Sequence, residues 1–503
     1  MVQPTTPLEK RLQSLESHLQ LENPILLQAV SSFRKLDKVS RRLGFLDREE
    51  SYATRVPWWP LIAILGVYSS GKSTFINHYL SYELQRTGNQ AVDDKFTVIC
   101  FSSDNTERVL PGLALDADPR FPFYQISRAL EEIATGEGRR IDAYLQLTTC
   151  PNERVRGKIL IDSPGFDADA QRTSTLRITN HIIDLSDLVL VFFDARHPEP
   201  GTMHDTLEHL VCNTISRPDS SKFLYILNQL DTTAREDNPE DVAASWQRAL
   251  AQKGLTAGRF YRIYTPDAAI PIEDANLRAR FEAKRDADLA EIHARMYQVE
   301  IERAYRVVAI LEQTARDIEE HIVPTLRKLI ARWRRRVLWA DGILFGTIIV
   351  GGLGWTLWTG EWSGLSFHHP LWAKLLRNPV LRWVALGVVI VLAGYAHLTI
   401  RKKATNHIIN RLQHDLRHIH NLDFLGNLTK AFRKNTRWWR SVLYKQPAAW
   451  SQQARRHLKE VLTEANYYVQ ELNNTFTNPS GISQKTTNNE PQETTTTGHV
   501  PAP

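Results

Sequence analysis

The chain has 503 residues, 42% of them hydrophobic and 23% charged, with a formal net charge of +6. That balance excludes a disordered or fibrous polymer and leaves room for two or more packed domains. The small positive excess suits contact with anionic lipid; with no helicase-type motif in view, a nucleic-acid motor is excluded.

Cys100, Cys150 and Cys212 show no paired spacing, so neither a disulfide framework nor a zinc site is expected, and they read as reduced thiols in a cytosolic compartment. Residues 1–50 are polar and helical in period, so no secretory signal peptide is expected there. Leu8, Leu12, Leu15, Leu19, Leu26 and Leu27, then Phe33, Leu36, Val39 and Leu43, predict two amphipathic helices broken near Asn23-Pro24. From residue 60 to 270, apolar runs alternate with helix-like segments: Leu61–Leu65, Thr97–Phe101, Lys158–Asp162, Leu188–Asp194, Phe223–Asn228 and Phe260–Tyr264. That alternation predicts a mostly parallel sheet with helices on both faces.

Gly66-Val67-Tyr68-Ser69-Ser70-Gly71-Lys72-Ser73 follows an apolar strand and precedes a helix beginning near Lys72. This is the Walker A pattern, in which backbone N–H groups and a helix N-terminus cradle phosphates. Lys72 is expected to reach the outer phosphates and Ser73 to ligate Mg2+. Gly66, Ser69, Ser70, Gly71 and Thr74 complete the expected cradle. A second strand ends in Asp162-Ser163-Pro164-Gly165, where Asp162 would hold Mg2+ through water and the Gly165 N–H would sense a γ-phosphate. A third ends in Asn228-Gln229-Leu230-Asp231. In guanine-nucleotide enzymes the corresponding signature is Asn-Lys-x-Asp; here Gln229 replaces the lysine and Asp231 is kept as the base reader. Lys72, Ser73, Asp162 and Gly165 are the expected catalytic set.

Leu289, Ile292, Met296, Val299, Val307, Leu311, Ala315, Ile318, Ile322, Leu326, Leu329 and Trp333 recur at helical spacing, with Pro324 expected to kink the helix. Bundle packing and a lever towards a membrane both fit. Gly342 to Gly360 has no charge, and Trp383 to Ile400 has no Lys, Arg, Asp or Glu. Each approaches the roughly 20 residues a bilayer core requires. Arg332, Arg334, Arg335 and Arg336 precede the first run; Arg401, Lys402 and Lys403 follow the second; Lys374, Arg377 and Arg382 lie between. This bias puts both outer flanks in the cytosol. Two buried core helices, or a hairpin dipping into one leaflet, are the alternatives. Gly342 and Gly346 would permit close helix approach. Ile408, Leu412, Leu416, Ile419 and Leu422 return to helical period. The stretch Phe432 to Lys445 mixes cations with aromatics and fits either anionic lipid or a solvated helix face with a packed Trp. His414 and His418 share a helical spacing but lack a further ligand, so a metal site is not expected there.

On the motifs above, residues 55–270 resemble the nucleotide domain of the dynamin superfamily, nearest the EH-domain-containing ATPases and sarcalumenin. "GVYSSGKSTFINHYL", "VLPGLALDADPRFPF" (Val109 to Phe123) and "LVFFDARHPE" (Leu190 to Glu199) carry that likeness. The hairpin is similar in architecture to mitofusin-like members. The resemblance implies slow NTP hydrolysis, GTP before ATP, with Mg2+, stimulated by self-assembly on a lipid bilayer that the protein remodels, tethers or fuses. It also implies a homo-oligomer formed through the nucleotide domain. Three departures stand out. Tyr68 occupies the position of the dynamins' catalytic Gln, and Val67 that of the EH branch's Gln. Val92-Asp93 falls where the switch I Thr pair is expected, with Thr97 displaced nearby. Gln229 weakens the guanine signature.

The expected fold is an α/β P-loop NTPase domain with an α-helical bundle and a two-helix transmembrane hairpin. Its parts are an N-terminal helical segment (1–50), the nucleotide-binding domain (51–275), a helical stalk (276–336), the hairpin (337–400), a C-terminal helical region (401–476) and a disordered tail (477–503). Both termini and the nucleotide domain are expected in the cytosol, with a bacterial inner membrane as the expected site. An ATP-specific, EH-like membrane-remodelling ATPase and a membrane-tethered nucleotide switch with little hydrolysis are the rival functions.

Overall fold

The computed structural model describes residues 6–86, 95–104, 106–117, 120–121, 141–165, 172–196, 219–235, 239–252, 254–255, 258–363, 366–367, 378–415 and 422–476. Val92-Asp93, Cys212, Lys374, Arg377, His418 and the 477–503 tail lie outside the described residues.

Helices α1 (Pro7–Glu22) and α2 (Pro24–Leu43) meet at Asn23. Its N–H closes α1 on Leu19 O, and its side chain accepts the Leu26 N–H at 3.3 Å to open α2. Pro24 stands at the first helical position, where no N–H is needed.

The α/β region runs β1 (Leu61–Gly66), α3 (Lys72–Leu80), β2 (Phe96–Phe101), β3 (Arg108–Pro111), α4 (Leu113–Ala117), α5 (Ile141–Tyr144), β4 (Leu145–Cys150), β5 (Ile159–Asp162), α6 (Arg172–Leu185), β6 (Leu188–Asp194), β7 (Phe223–Asn228), α7 (Pro239–Gln252) and β8 (Arg259–Arg262). One sheet holds all eight strands in the order β3-β4-β2-β5-β1-β6-β7-β8. Its pairings are parallel except β3–β4 and β2–β5, which are antiparallel. The sheet is therefore mixed: β3 and β4 were not expected, and β2 enters against the direction of β5. Every residue of β1, β6 and β7 is buried, which requires cover on both faces. Cys100 and Cys150 are buried on neighbouring strands.

Asp274 caps α8 (Ala275–Arg316) by accepting the Asn276 and Leu277 N–H groups. A π-helical segment, Asp317–Ile322, joins it to α9 (Val323–Trp358). Pro324 has no N–H to give the preceding turn, and the discontinuity takes the form of this π turn. The helix is otherwise continuous from the expected stalk into the first apolar run. All twelve apolar positions of the predicted stripe are buried. Leu289, Ile292, Met296 and Val299 pack with Phe75, Ile76 and Tyr79 against the sheet. Val307 onward joins the larger core with α1, α2 and α12 (Gln452–Phe476).

A short ribbon, β9 (Trp362–Ser363) with β10 (Ser366–Phe367), follows α9. Helix α10 (Pro379–Asp415) then returns against α9, with His397 Nδ1 2.8 Å from Asp341 Oδ2. These two helices are long and apolar enough to cross a membrane, and their apolar windows are only 6% and 0% buried within the chain. Neither window belongs to the core of this chain. A Cβ at Gly342 or Gly346 would meet nothing within 4 Å, so that pair makes no close approach within the hairpin. Helix α11 (Leu422–Asn435) ends before the aromatic-cationic stretch is complete. Residues 436–451 are turns, with Trp438 and Trp439 exposed, so the packed-Trp helix face is not what forms.

Candidate nucleotide site

The strand β1 ends at Gly66, and the chain turns through Val67 to Gly71 into the N-terminus of α3. Gly71 has φ +81, and a Cβ there would strike the Asn228 amide nitrogen. Only glycine accepts both conditions at low cost. Ser69 is held at φ 58 although it has a side chain. Its carbonyl accepts from Gln229 Nε2 at 2.5 Å and Arg196 Nη2 at 3.2 Å. The Ser70 carbonyl accepts from Asn228 Nδ2 at 2.8 Å, and Ser70 Oγ donates to Val67 O at 2.8 Å. The loop is therefore clamped in a strained form by groups from the ends of β6 and β7.

Lys72 is buried, its ammonium donating to Gly66 O at 3.2 Å and Val67 O at 3.1 Å. Burial pushes the ammonium below its usual value, and the Asp162 carboxylate opposes that shift. Ser73 Oγ donates to Asp162 Oδ2 at 3.0 Å. Two hard oxygen donors that close together match the ligand chemistry of Mg2+. Gly165 lies against Tyr68, so a Cβ there would come within 2.7 Å of Tyr68 Cα. The buried Tyr68 hydroxyl has no hydrogen-bond partner among the described residues.

Tyr68, Ser69, Gly71, Lys72, Ser73, Thr74, Asp162, Gly165, Asn228 and Asp231 line one cleft of about 570 Å³. Gly66 and Ser70 stand behind it as the loop's base and brace. Asp231 is buried, accepts the Ile270 N–H at 2.8 Å, and is pushed up from its usual value by burial. Gln229, at φ 62, spends its amide on the loop carbonyl. Thr97 sits in β2 with its hydroxyl accepting from Gln146 Nε2 at 2.7 Å.

The cleft also takes Arg86, Lys95 and Arg196, which sequence reasoning did not single out. Arg196 grips Asp194 through two nitrogens, which raises its pKa above the usual value. The signal for it was the Asp-x-Arg ending of β6, inside a stretch valued only for its likeness to a family.

Residues 62–230 match the model of the dynamin family. EH domain-containing protein 1 of Homo sapiens is 30% identical over 146 residues, 27% of this chain and 25% of its own length. The Arabidopsis thaliana protein of that name is 26% identical over 179 residues, 34% of this chain and 30% of its own. The alignment with the human relative thus spans about a quarter of that protein. A solved oligomerised bacterial dynamin pair, described as providing a mechanism for long-range sensing and tethering of membranes, aligns with 93% of this chain and 73% of its own, at 14% identity and a TM-score of 0.30.

Proposed function

We propose, on the premise that this chain is a dynamin-superfamily member with an EH-protein-like nucleotide domain, that it is a membrane-integral nucleoside triphosphatase. It binds and slowly hydrolyses GTP in preference to ATP, and it uses that cycle to remodel, tether or fuse membranes. One observation carries the reading. A helix of 84 residues, Ala275–Trp358, packs on α3 beside the phosphate loop at one end and becomes an unburied apolar helix at the other. At 1.5 Å per residue it spans roughly 120 Å, so one helical element, interrupted by the π turn, runs from beside the nucleotide site to the apolar segment.

In this reading Lys72 leaves its loop carbonyls to meet the outer phosphates, while Asn228 and Gln229 keep the loop in shape. Ser73 and Asp162 would hold Mg2+, which supplies charge neutralisation between the phosphate oxygens. The Gly165 N–H faces the γ-phosphate, and Asp231 reads the base. Homo-oligomers would form through the nucleotide domain. The hairpin would span with the nucleotide domain and both flanks on the cytosolic side, in a bacterial inner membrane.

A second reading is a membrane-tethered switch that binds nucleotide and barely turns it over. It is favoured by Tyr68 standing where dynamins carry a water-positioning Gln. Binding and turnover of GTP and ATP by the full chain, with and without liposomes and beside Lys72→Ala, test both. Liposome-stimulated hydrolysis lost in Lys72→Ala supports the remodelling enzyme. Binding without turnover in any lipid rejects it in favour of the switch.

A further inference from the structure

The turn that follows α11 has no role in the nucleotide site, yet it is built with care. Asn435, almost fully buried, accepts the Ala448 N–H at 2.6 Å and a contact from Arg440 Nη1, and donates to Ala431 O at 2.8 Å. Val442 and Trp450 anchor the turn in the core. Beneath it lies Arg401, the first residue after the second apolar run. Its guanidinium donates to Trp438 O at 3.0 Å, Arg437 O at 2.8 Å and Arg440 O at 2.6 Å. The same group stacks on Trp333, 5.2 Å from the ring centre. Arg401 is thus 6% exposed, with both terminal nitrogens of its guanidinium donating into this turn at the end of the hairpin.

What the turn presents is costly in water. Trp438 is 69% exposed, Trp439 62%, Leu443 73% and Tyr444 64%. Trp438 and Trp439 meet edge to face, and Arg437 covers Trp439 at 5.0 Å. Four large apolar side chains held outward on a pinned turn form a patch that needs cover. From Leu425 to Lys459 the sequence has Lys and Arg but no Asp or Glu, and Lys402, Lys403, Arg433, Arg437 and Lys445 are exposed. Aromatic rings among cations, level with the end of an apolar helix, match the glycerol and headgroup zone of an anionic bilayer.

The geometry points to residues 437–445 as an interfacial anchor: Trp438, Trp439, Leu443 and Tyr444 seat in the headgroup zone of the bilayer that the hairpin enters, and the surrounding cations select anionic lipid. Arg401 couples that anchor to the second apolar helix, so the hairpin meets the surface at a fixed depth. The inference rests on the membrane-spanning reading above.

The test uses the full chain in vesicles, with a fluorophore on single cysteines placed by Leu443→Cys, Val389→Cys or Tyr297→Cys after replacing the native cysteines. Val389 lies mid-run, and Tyr297 is exposed on α8, roughly 70 Å along the helix from the first apolar run at 1.5 Å per residue. Lipid nitroxides near the glycerol backbone should quench the Leu443 label severalfold more than the Tyr297 label, and more in phosphatidylglycerol-containing vesicles than in phosphatidylcholine alone. Deep-chain nitroxides should quench the Val389 label. Quenching at Val389 with none at Leu443 overturns the anchor and leaves the spanning hairpin standing. Self-quenching between Leu443 labels without lipid quenching overturns it in favour of a contact between copies. No quenching at Val389 overturns both readings. Equal quenching at Leu443 in the two vesicle types overturns the selection of anionic lipid.

Discussion

Arg303 on α8 donates its Nε to Asp187 Oδ2 at 3.1 Å, with the two side chains only 5% and 2% exposed. Arg306 adds a second contact to the same carboxylate, which also accepts the Leu61 N–H at 3.1 Å. Asp187 therefore ties the first residue of β1, whose far end carries the phosphate loop, to the helix that runs into the hairpin. Removing Asp187 leaves Arg303 buried without its charge partner. Asp187→Ala should cost about 3–5 kcal/mol, read as a lower denaturant midpoint, whereas Asp187→Leu with Arg303→Met should cost much less. Equal losses in the single and double variants would show that the pair is not coupled.

Lys72→Ala should weaken nucleotide binding about 10–100-fold, the loss of roughly 1.5–3 kcal/mol of charge-assisted hydrogen bonding. Its ammonium is buried against two loop carbonyls, so the variant also leaves those acceptors unpaired, and its Tm without nucleotide should be recorded alongside. Ser73→Ala should instead spare binding without metal and abolish the gain in affinity on adding Mg2+. Titration with a fluorescent nucleotide, with and without Mg2+, separates the two.

The phosphate loop was legible because eight consecutive residues carry it; the Asn23-Pro24 break and the α8 stripe were legible because capping and helical period are local. The rest depends on distant chain. Strand β3 is a four-residue edge piece with three exposed positions, so no apolar run announces it. Strand β4 reads Leu-Gln-Leu-Thr-Thr-Cys, polar enough to pass for a loop, and is buried by its neighbours. The antiparallel entry of β2 beside β5 is a tertiary choice. Gln229 was visible as a departure, but its turn onto the Ser69 carbonyl depends on a positive φ that sequence does not announce. The stretch Phe432 to Lys445 left a lipid contact and a helix face both open, because what shapes the turn after Asn435, a buried amide accepting the Ala448 N–H, lies thirteen residues on.

Tyr68 stands against Gly165 with its hydroxyl unpartnered among the described residues. If that hydroxyl positions the attacking water, Tyr68→Phe should lower kcat with nucleotide affinity and Tm almost unchanged. Tyr68→Gln, which restores the side chain that the dynamins carry, should raise it. An unchanged kcat in Tyr68→Phe would assign the residue to packing alone.

His293 on α8 sits 5.2 Å from the Tyr79 ring and 6.4 Å from Phe75, with Nε2 buried and unpartnered among the described residues. Burial first, then Arg154 and His78, lower its pKa from 6.5. The folded state thus binds this proton more weakly than the unfolded one. The stability contributed is complete above the unfolded value and is lost as pH falls through the lowered folded value. Glu22 and Asp37 are pushed up by burial and act in the opposite sense as they protonate. The comparison must therefore be with a variant: between about pH 7 and pH 5, wild type should lose more Tm than His293→Phe. Parallel curves would exclude His293 as the acid-labile contact between α8 and α3.

Asp231 offers the sharpest test of the base. One of its oxygens accepts the Ile270 N–H at 2.8 Å, and a carboxylate keeps lone pairs on both oxygens for further donors. Guanine presents two N–H donors on one edge, which suits a carboxylate; adenine presents one donor and one acceptor, which does not need one. In Asp231→Asn the amide oxygen can keep Ile270, while the NH2 group faces the guanine donors. GTP affinity should then fall about 10–100-fold, and xanthosine triphosphate, which puts an oxygen where guanine has its amino group, should gain relative to GTP. ATP affinity should hardly move. If ATP is instead the tighter ligand of wild type and Asp231→Asn leaves the order unchanged, Asp231 serves the Ile270 turn rather than the base, and the enzyme is an adenine nucleotide hydrolase.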